Sequence, residues 1–246
     1  MQMLVTDLTR MRYGICVAGV DLATGTRVRP VLPNERQFQI DMTRHFGGPF
    51  DVRAVVELGS TTTSGQRPEV EDAPVTLSQI RQLSIMDSDE FLDRLPGYSS
   101  PSLPEAFGPE LVPHSNGRSL VVPEGKGEAS LAIVKAARPF EVRVEGSQVR
   151  ARWPHNGRDL SVTDLRLFKN DGATVDGAQV NRLATRLRTH FAQGRPVYAA
   201  FGLGRAWVPE HAVDRTKYHW LQVNSIHLDG ARKWRLPKPD EESDEE

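Results

Sequence analysis

At 246 residues the chain can bury one large core or two smaller ones. Its 38% hydrophobic and 26% charged residues are the make-up of a folded soluble protein and exclude a disordered tract or a membrane bundle; no stretch approaches the ~18 uncharged apolar residues that cross a bilayer. The net charge of −1 is unevenly spread: the terminal "DEESDEE" (240–246) holds six carboxylates, so residues 1–239 carry +5.

That tail has no apolar residue to bury and is expected to be disordered. It serves solubility, or it competes with nucleic acid for the basic body. Arginine supplies 25 of the 31 basic residues. A guanidinium suits bidentate phosphate contacts, though a GC-rich genome gives the same bias. The single cysteine, Cys16, excludes an internal disulfide framework, and "MQMLVTDLTR" lacks the pattern of a secretory leader, so a cytoplasmic location is expected. Cys16 lies in "ICVAG", where a small buried residue is expected rather than a reactive thiol.

In chain order, "QMLVTDL" (2–8), "ICVAGVDL" (15–22), "RVRPVLP" (27–33) and "DVRAVVELG" (51–59) read as strands. The hairpin between the second and third admits two registers. A three-residue loop sets Arg29 opposite Asp21 and leaves Arg27 the freer. A two-residue loop sets Arg27 and Arg29 beside Leu22 and Val20. "VTLSQIRQLSI" (75–85) fits strand or helix. Residues 86–118 hold one short helical signal, "DSDEFLDRL", in a stretch dense in Pro, Gly and Ser that reads as a connector.

Strand character resumes at 119–136, and "FEVRVEGSQVRARWPHNGRDLSVTDLRLF" (140–168) reads as a three-stranded meander. Gly146-Ser147 fits a type II′ turn and sets Glu145 opposite Gln148 and Arg143 opposite Arg150. Asn156-Gly157 fits type I′ and sets Trp153 opposite Leu160 and Ala151 opposite Val162. One face then collects Val142, Val144, Val149, Ala151, Trp153, Leu160 and Val162, and the other Arg143, Arg150, Arg152, Ser161 and Thr163. In "DGAQVNRLATRLRTHFAQG" (176–194), Val180, Leu183, Ala184, Leu187 and Phe191 recur at helical spacing and Gly194 is a stop. Two strands follow, at 196–208 and 219–228. Three meandering strands, a helix, then two strands is the order of an OB-fold. The expected architecture is mostly β: two tandem OB-fold-like barrels, at 1–85 and 119–236, with a helix between the third and fourth strands of the second and a tail at 237–246.

The segments "RMRYGICVAGVDLATGTRVRPV", "FGGPFDV", "RPEVED", "FGLGRAW" and "HWLQVNSIHL" follow one another in an order that resembles the dual OB-fold domain proteins of prokaryotes. The resemblance spans nearly the whole chain apart from the tail. It implies a nucleic-acid-binding module, often found beside conflict or defence genes, and it carries over no catalytic residues.

OB-folds bind single strands with basic groups and with aromatics on which bases stack. Such groups occur at Arg150, Arg152, Trp153 and His155, and again at Arg205, Trp207, Lys217, Tyr218, His219 and Trp220. Trp153 points away from Arg150 and Arg152 and is assigned to the core. The second group joins the last two strands, a usual ligand-contacting loop. Arg27, with Arg10 and Arg12 on one face of the preceding segment, offers further phosphate contacts or a structural salt-bridge lattice.

Catalytic readings are weaker. The histidines show no HxH or HExxH spacing, and one cysteine builds no zinc knuckle. "EGK" (124–126) has the Glu-x-Lys spacing of a metal-dependent nuclease but lies in a glycine-flanked turn. "FGLGRA" lacks phosphate-loop spacing, and "PEVED" clusters three acids with no basic or histidine partner implied nearby. No catalytic residue, metal or cofactor is assigned. Three readings stand: a non-catalytic module for single-stranded DNA or RNA, a protein-binding adaptor in a larger complex, and a nucleotide-sensing or nuclease activity.

Overall fold

The computed structural model describes residues 1–63, 65–154, 158–208 and 215–228. The chain is mostly β, in two sheets with few helices. The expectations for His155, for the Asn156-Gly157 turn and for the acidic tail lie outside the described residues.

The first half contributes β1 (Gln2–Arg10), β2 (Ile15–Asp21), β3 (Arg27–Val31), β4 (Ala54–Glu57), β5 (Asp72–Pro74) and β6 (Arg81–Ile85), in the order β5-β3-β2-β1-β4-β6. β3 and β5 run parallel while β4 returns antiparallel to β1, which is OB connectivity. β4 pairs β6 instead of β5, so the barrel is open there. Where an OB-fold inserts its helix, residues 34–49 make short 3-10 turns at Pro33–Glu35, Ile40–Met42 and Arg44–Phe46. Around these turns Phe38 and Phe50 are buried edge to face, with ring centroids 5.1 Å apart.

The β2–β3 hairpin takes neither predicted register. Val20 faces Arg27 and Gly19 faces Val28. The cause is the Asp21 carboxylate, which accepts from Ala23 N at 3.2 Å and from Thr24 Oγ1 at 3.0 Å. This side-chain turn closes the chain with Asp21 N donating to Thr26 O and with Gly25 at φ +75°, so residues 22–25 form the loop. Arg27 is therefore not the freer residue. It donates through Nη2 to the fully buried Asp7 at 2.5 Å and through Nη1 to Thr6 Oγ1 at 2.7 Å.

The segment after the first sheet folds into α1 (Ser88–Tyr98), capped by Asp87, and α2 (Leu103–Phe107), capped by Ser102. Phe91 and Leu95 enter the first core, and Leu103 and Phe107 enter the second. β7 (Val112–Pro113) and β8 (Leu120–Pro123) form a hairpin beside the last strand.

The second barrel is built from β9 (Leu131–Lys135), β10 (Glu141–Glu145), β11 (Gln148–Trp153), β12 (Arg158–Val162), α3 (Gly177–Ala192), β13 (Val197–Leu203) and β14 (Tyr218–Leu228). Its order is β10-β11-β12-β14-β13-β9. β9 and β10 are two pieces of one OB first strand: β10 pairs β11 and β9 closes against β13. β12 and β14 are parallel, and α3 falls between the third and fourth strands as expected. Asp176 caps α3 by accepting from Gln179 N at 3.0 Å, and Gly194 at φ +65° follows its end.

The β10–β11 register is the predicted one, with Glu145 opposite Gln148 and Arg143 opposite Arg150. The β11–β12 register is displaced by two: Trp153 faces Arg158 and Ala151 faces Leu160. Pro154 has no N–H to give the ladder, so β11 stops at Trp153. A shift of two preserves faces. Trp153, Val149, Ala151, Leu160 and Val162 are buried accordingly, whereas Val144 at the hairpin end is 42% exposed.

The two halves pack at β1. Thr9 bridges Asp164, Arg10 N donates to Thr163 O at 2.8 Å, and Ile133, Leu165, Tyr198 and Ala200 of the second half join the first core. Among the described residues no helix is long and apolar enough to cross a membrane.

Candidate nucleic-acid interface

In β14 the inward residues Leu221 and Val223 are core, so Trp220 and Gln222 stand on the outer face. The same alternation places Gln148 and Arg150 of β11 and Ser161 of β12 outward, and Ser161 lies opposite Gln222 in the parallel ladder. Together they floor a groove of about 900 Å³ on the second barrel. Arg150 is held there by Nη1 donating to Ser161 Oγ at 2.8 Å.

One wall is aromatic. Trp207 and Tyr218 exchange backbone hydrogen bonds of 3.2 and 3.3 Å at the base of the loop joining β13 to β14. Trp207 is 51% exposed and lies 5.5 Å from Trp220, the rings inclined by 33°. His114 packs on Trp220 at 4.7 Å and on Tyr218 at 5.5 Å. It is delivered by the β7–β8 hairpin, whose turn is fixed by the Asn116 side-chain oxygen accepting from Arg118 N and Ser119 N, both at 3.0 Å. The Nε1–H of Trp220 is buried and has no hydrogen-bond partner among the described residues. The wall therefore offers flat apolar faces.

Of the residues singled out from sequence, Arg150, Trp207 and Tyr218 line this groove together with Trp220. Lys217 precedes Tyr218 and pairs with Glu124 at 3.1 Å, both side chains about half exposed. Arg152 lies two residues along β11 on the same outer face, across from Asp159. The others stand elsewhere. Arg10 covers the Phe168 ring at 4.7 Å, Arg12 covers the exposed Tyr13 at 5.1 Å, and Arg27 is committed to Asp7. His219 points inward, 3% exposed, with Nδ1 at 2.9 Å from Gly204 O.

Arg205 is a tie between barrels. Its Nη2 lies 2.6 Å from Asp72 Oδ2 and its Nη1 3.1 Å from Glu69 Oε1. The "PEVED" acids thus do have basic and histidine partners, contrary to the sequence expectation. Asp72 also takes Arg29 Nε at 2.5 Å, Glu69 lies 3.6 Å from His219 Nδ1, and the buried Glu71 accepts from Ser130 N, Ser130 Oγ and Leu131 N at 2.8 to 3.1 Å. Burial pushes the Glu71 carboxyl above its ordinary value despite these donors.

Sequence reasoning missed His114. The available signal was Asn116-Gly117 between Val112 and Leu120-Val121-Val122, a hairpin pattern hidden in a Pro-rich neighbourhood.

Compared with models of known protein families, residues 1–226 match the dual OB-containing domain. The chain belongs to that family. No curated protein and no solved structure matches it. In this dual OB-containing protein the groove lies on the second and third strands of the second barrel and at the base of the loop between its fourth and fifth.

Proposed function

We propose that this dual OB-containing protein is a non-catalytic module that binds single-stranded nucleic acid through the groove of its second barrel. The observation that carries this reading is the half-exposed Trp207 stacked toward Trp220, on which His114 also packs, beside Arg150 on the outer face of β11, β12 and β14. Bases stack on such rings whatever their sequence, and the guanidinium meets the backbone phosphate. Lys217 is a second phosphate contact in this account, because an exposed pair such as Lys217–Glu124 holds its cation only weakly. Gln148 and Gln222 supply polar contacts to base edges or sugars.

The test is fluorescence anisotropy of labelled single-stranded oligothymidylate and oligouridylate titrated with the parent chain and with Trp207→Ala. Saturable binding by the parent that is weakened in the variant supports the reading. Equal binding by both would move the site elsewhere.

A further inference from the structure

The turn between β1 and β2 of the first barrel begins where the groove floor of the second barrel ends. Along β14 the wall residues Tyr218 and Trp220 come first and Gln222 follows, opposite Ser161 of β12. One step further, Val223 O accepts from Thr163 N at 2.9 Å, and Thr163 O accepts from Arg10 N at 2.8 Å. β1 ends at Arg10, so residues 11–14 leave from that point. The path from Ser161 to Thr163, across to Arg10 and on to Tyr13 limits the separation of floor and turn to about 25 Å.

The backbone of this turn is pinned. Met11 N donates to Gly14 O at 2.8 Å, Ile15 N to Phe38 O at 2.8 Å, and Gln39 Nε2 to Tyr13 O at 3.1 Å. Phe38 is itself buried against Phe50. A Cβ at residue 14 would lie 2.3 Å from Phe38 O, so glycine is what lets the two segments approach. The side chains at the tip nevertheless face solvent. Tyr13 is 67% exposed, more than any other large apolar or aromatic side chain among the described residues. The exposed Arg12 guanidinium lies 5.1 Å from the centre of its ring.

A fixed, exposed ring beside a guanidinium repeats on the first barrel what Trp207 and Arg150 present on the second. Both groups take a partner with little ordering cost, because the backbone that carries them is already held. We propose that a single strand lying in the groove runs on past Ser161 to the first barrel, where a base stacks on Tyr13 and Arg12 meets a neighbouring phosphate. This inference rests on the function proposed above for the groove. It makes the site composite: a short strand is held by the second barrel alone, and a longer one adds a linked contact on the first.

Anisotropy of labelled oligothymidylates of about 4 and about 15 nucleotides, titrated with the full chain, tests this. Tyr13→Ala weakens binding of the long strand about fivefold or more and spares the short one, whereas Tyr13→Phe, which keeps the ring, binds both like the parent. Arg12→Ala lowers the salt slope of the long strand alone, by somewhat under one unit. Trp207→Ala weakens both lengths. Tyr13 and Arg12 are exposed, so their variants keep the fold. Long-strand binding unchanged in Tyr13→Ala, with Trp207→Ala still weakening both lengths, would overturn the proposal and leave the groove standing. Equal losses at both lengths in Tyr13→Ala would also overturn it. Binding that Trp207→Ala leaves intact, or no binding by the parent at either length, would overturn the groove and the proposal together.

Discussion

Arg205 Nη2 lies 2.6 Å from Asp72 Oδ2, joining the end of β13 in the second barrel to β5 in the first. The other oxygen of Asp72 takes Arg29 at 2.5 Å, so this carboxylate pairs with two guanidiniums, of which Arg205 also has Glu69 at 3.1 Å. The two sides are unequal: the Arg29 side chain is 9% exposed and that of Arg205 is 56% exposed. Asp72→Ala strands a buried cation and is expected to cost about 3–5 kcal/mol. Arg205→Ala leaves Asp72 with Arg29 and should cost about 1 kcal/mol or less. Urea unfolding of both variants checks this ordering, and equal losses would contradict it. Because Arg205 is occupied at the junction, its removal should also leave the salt dependence of strand binding as in the parent.

The groove makes two predictions that differ in kind. Trp207→Ala removes an exposed stacking surface and should lose about 1–3 kcal/mol of single-strand affinity at every salt concentration. Arg150→Ala should instead lower the slope of log affinity against log salt by somewhat under one unit, since a phosphate contact releases roughly one counterion. Circular dichroism must show both variants folded. A Trp207→Ala variant that changes only the slope would misplace the stacking face.

Asp51 gives a pH signature. Burial pushes its carboxyl from 3.8 up to about 6, against the pull of Arg44. Between those values the folded chain keeps a proton that the unfolded chain has lost, so this group's contribution to stability falls as pH rises from about 4 through 6. His227 acts in the opposite direction. Burial, then Arg166 and Arg27, hold it well below its ordinary 6.5, so the unfolded chain takes up the extra proton and stability falls as pH drops below that value. Asp51→Asn removes only the first effect. Its stability relative to the parent should rise between pH 4 and pH 6 and then level, by roughly 1–3 kcal/mol, in urea titrations at the two ends. A pH-independent difference would refute this.

The thiol of Cys16 is also shifted. Burial raises it above its ordinary value, so the thiolate fraction at neutral pH is small. Maleimide labelling of the folded chain should be far slower than in urea, and comparable rates would contradict the burial.

What was legible in the sequence divides along a physical line. Local turn chemistry could be read: Gly146-Ser147 set the β10–β11 register, and the period of Val180, Leu183, Leu187 and Phe191 set α3. The faces of β11 and β12 survived a wrong register because the error was two residues, caused by Pro154 ending the strand early. Competition between side chains and backbone was not legible. The Asp21 carboxylate captured Ala23 N and Thr24 Oγ1 and set a loop that no two- or three-residue rule contains. Long-range pairing was not legible either. Glu69 and Asp72 meet Arg205 across 133 to 136 residues of sequence through the packing of the two barrels, and β5 owes its place to the parallel ladder with β3. At the candidate site the aromatic and basic residues of the β13–β14 loop were visible as a cluster. Their division into groove-lining Trp207 and Tyr218, inward His219 and junctional Arg205 required the strand alternation and the partners.

The acidic tail enters through charge alone. If "DEESDEE" competes for the basic body, deleting residues 240–246 should tighten strand binding at low salt and have no effect at high salt, where its charge is screened. Anisotropy at two salt concentrations measures this, and identical affinities at low salt would remove the tail from the account.

The central claim is that an aromatic groove beside Arg150 binds single strands. It is tested most directly by following tryptophan emission of the full chain while single-stranded oligothymidylate is added across a series of salt concentrations. Stacking on Trp207 and Trp220 predicts saturable quenching, an affinity that falls linearly in log-log form with salt, and a marked loss of quenching in Trp207→Ala. Absence of quenching at low salt, or quenching that Trp207→Ala leaves intact, would contradict it.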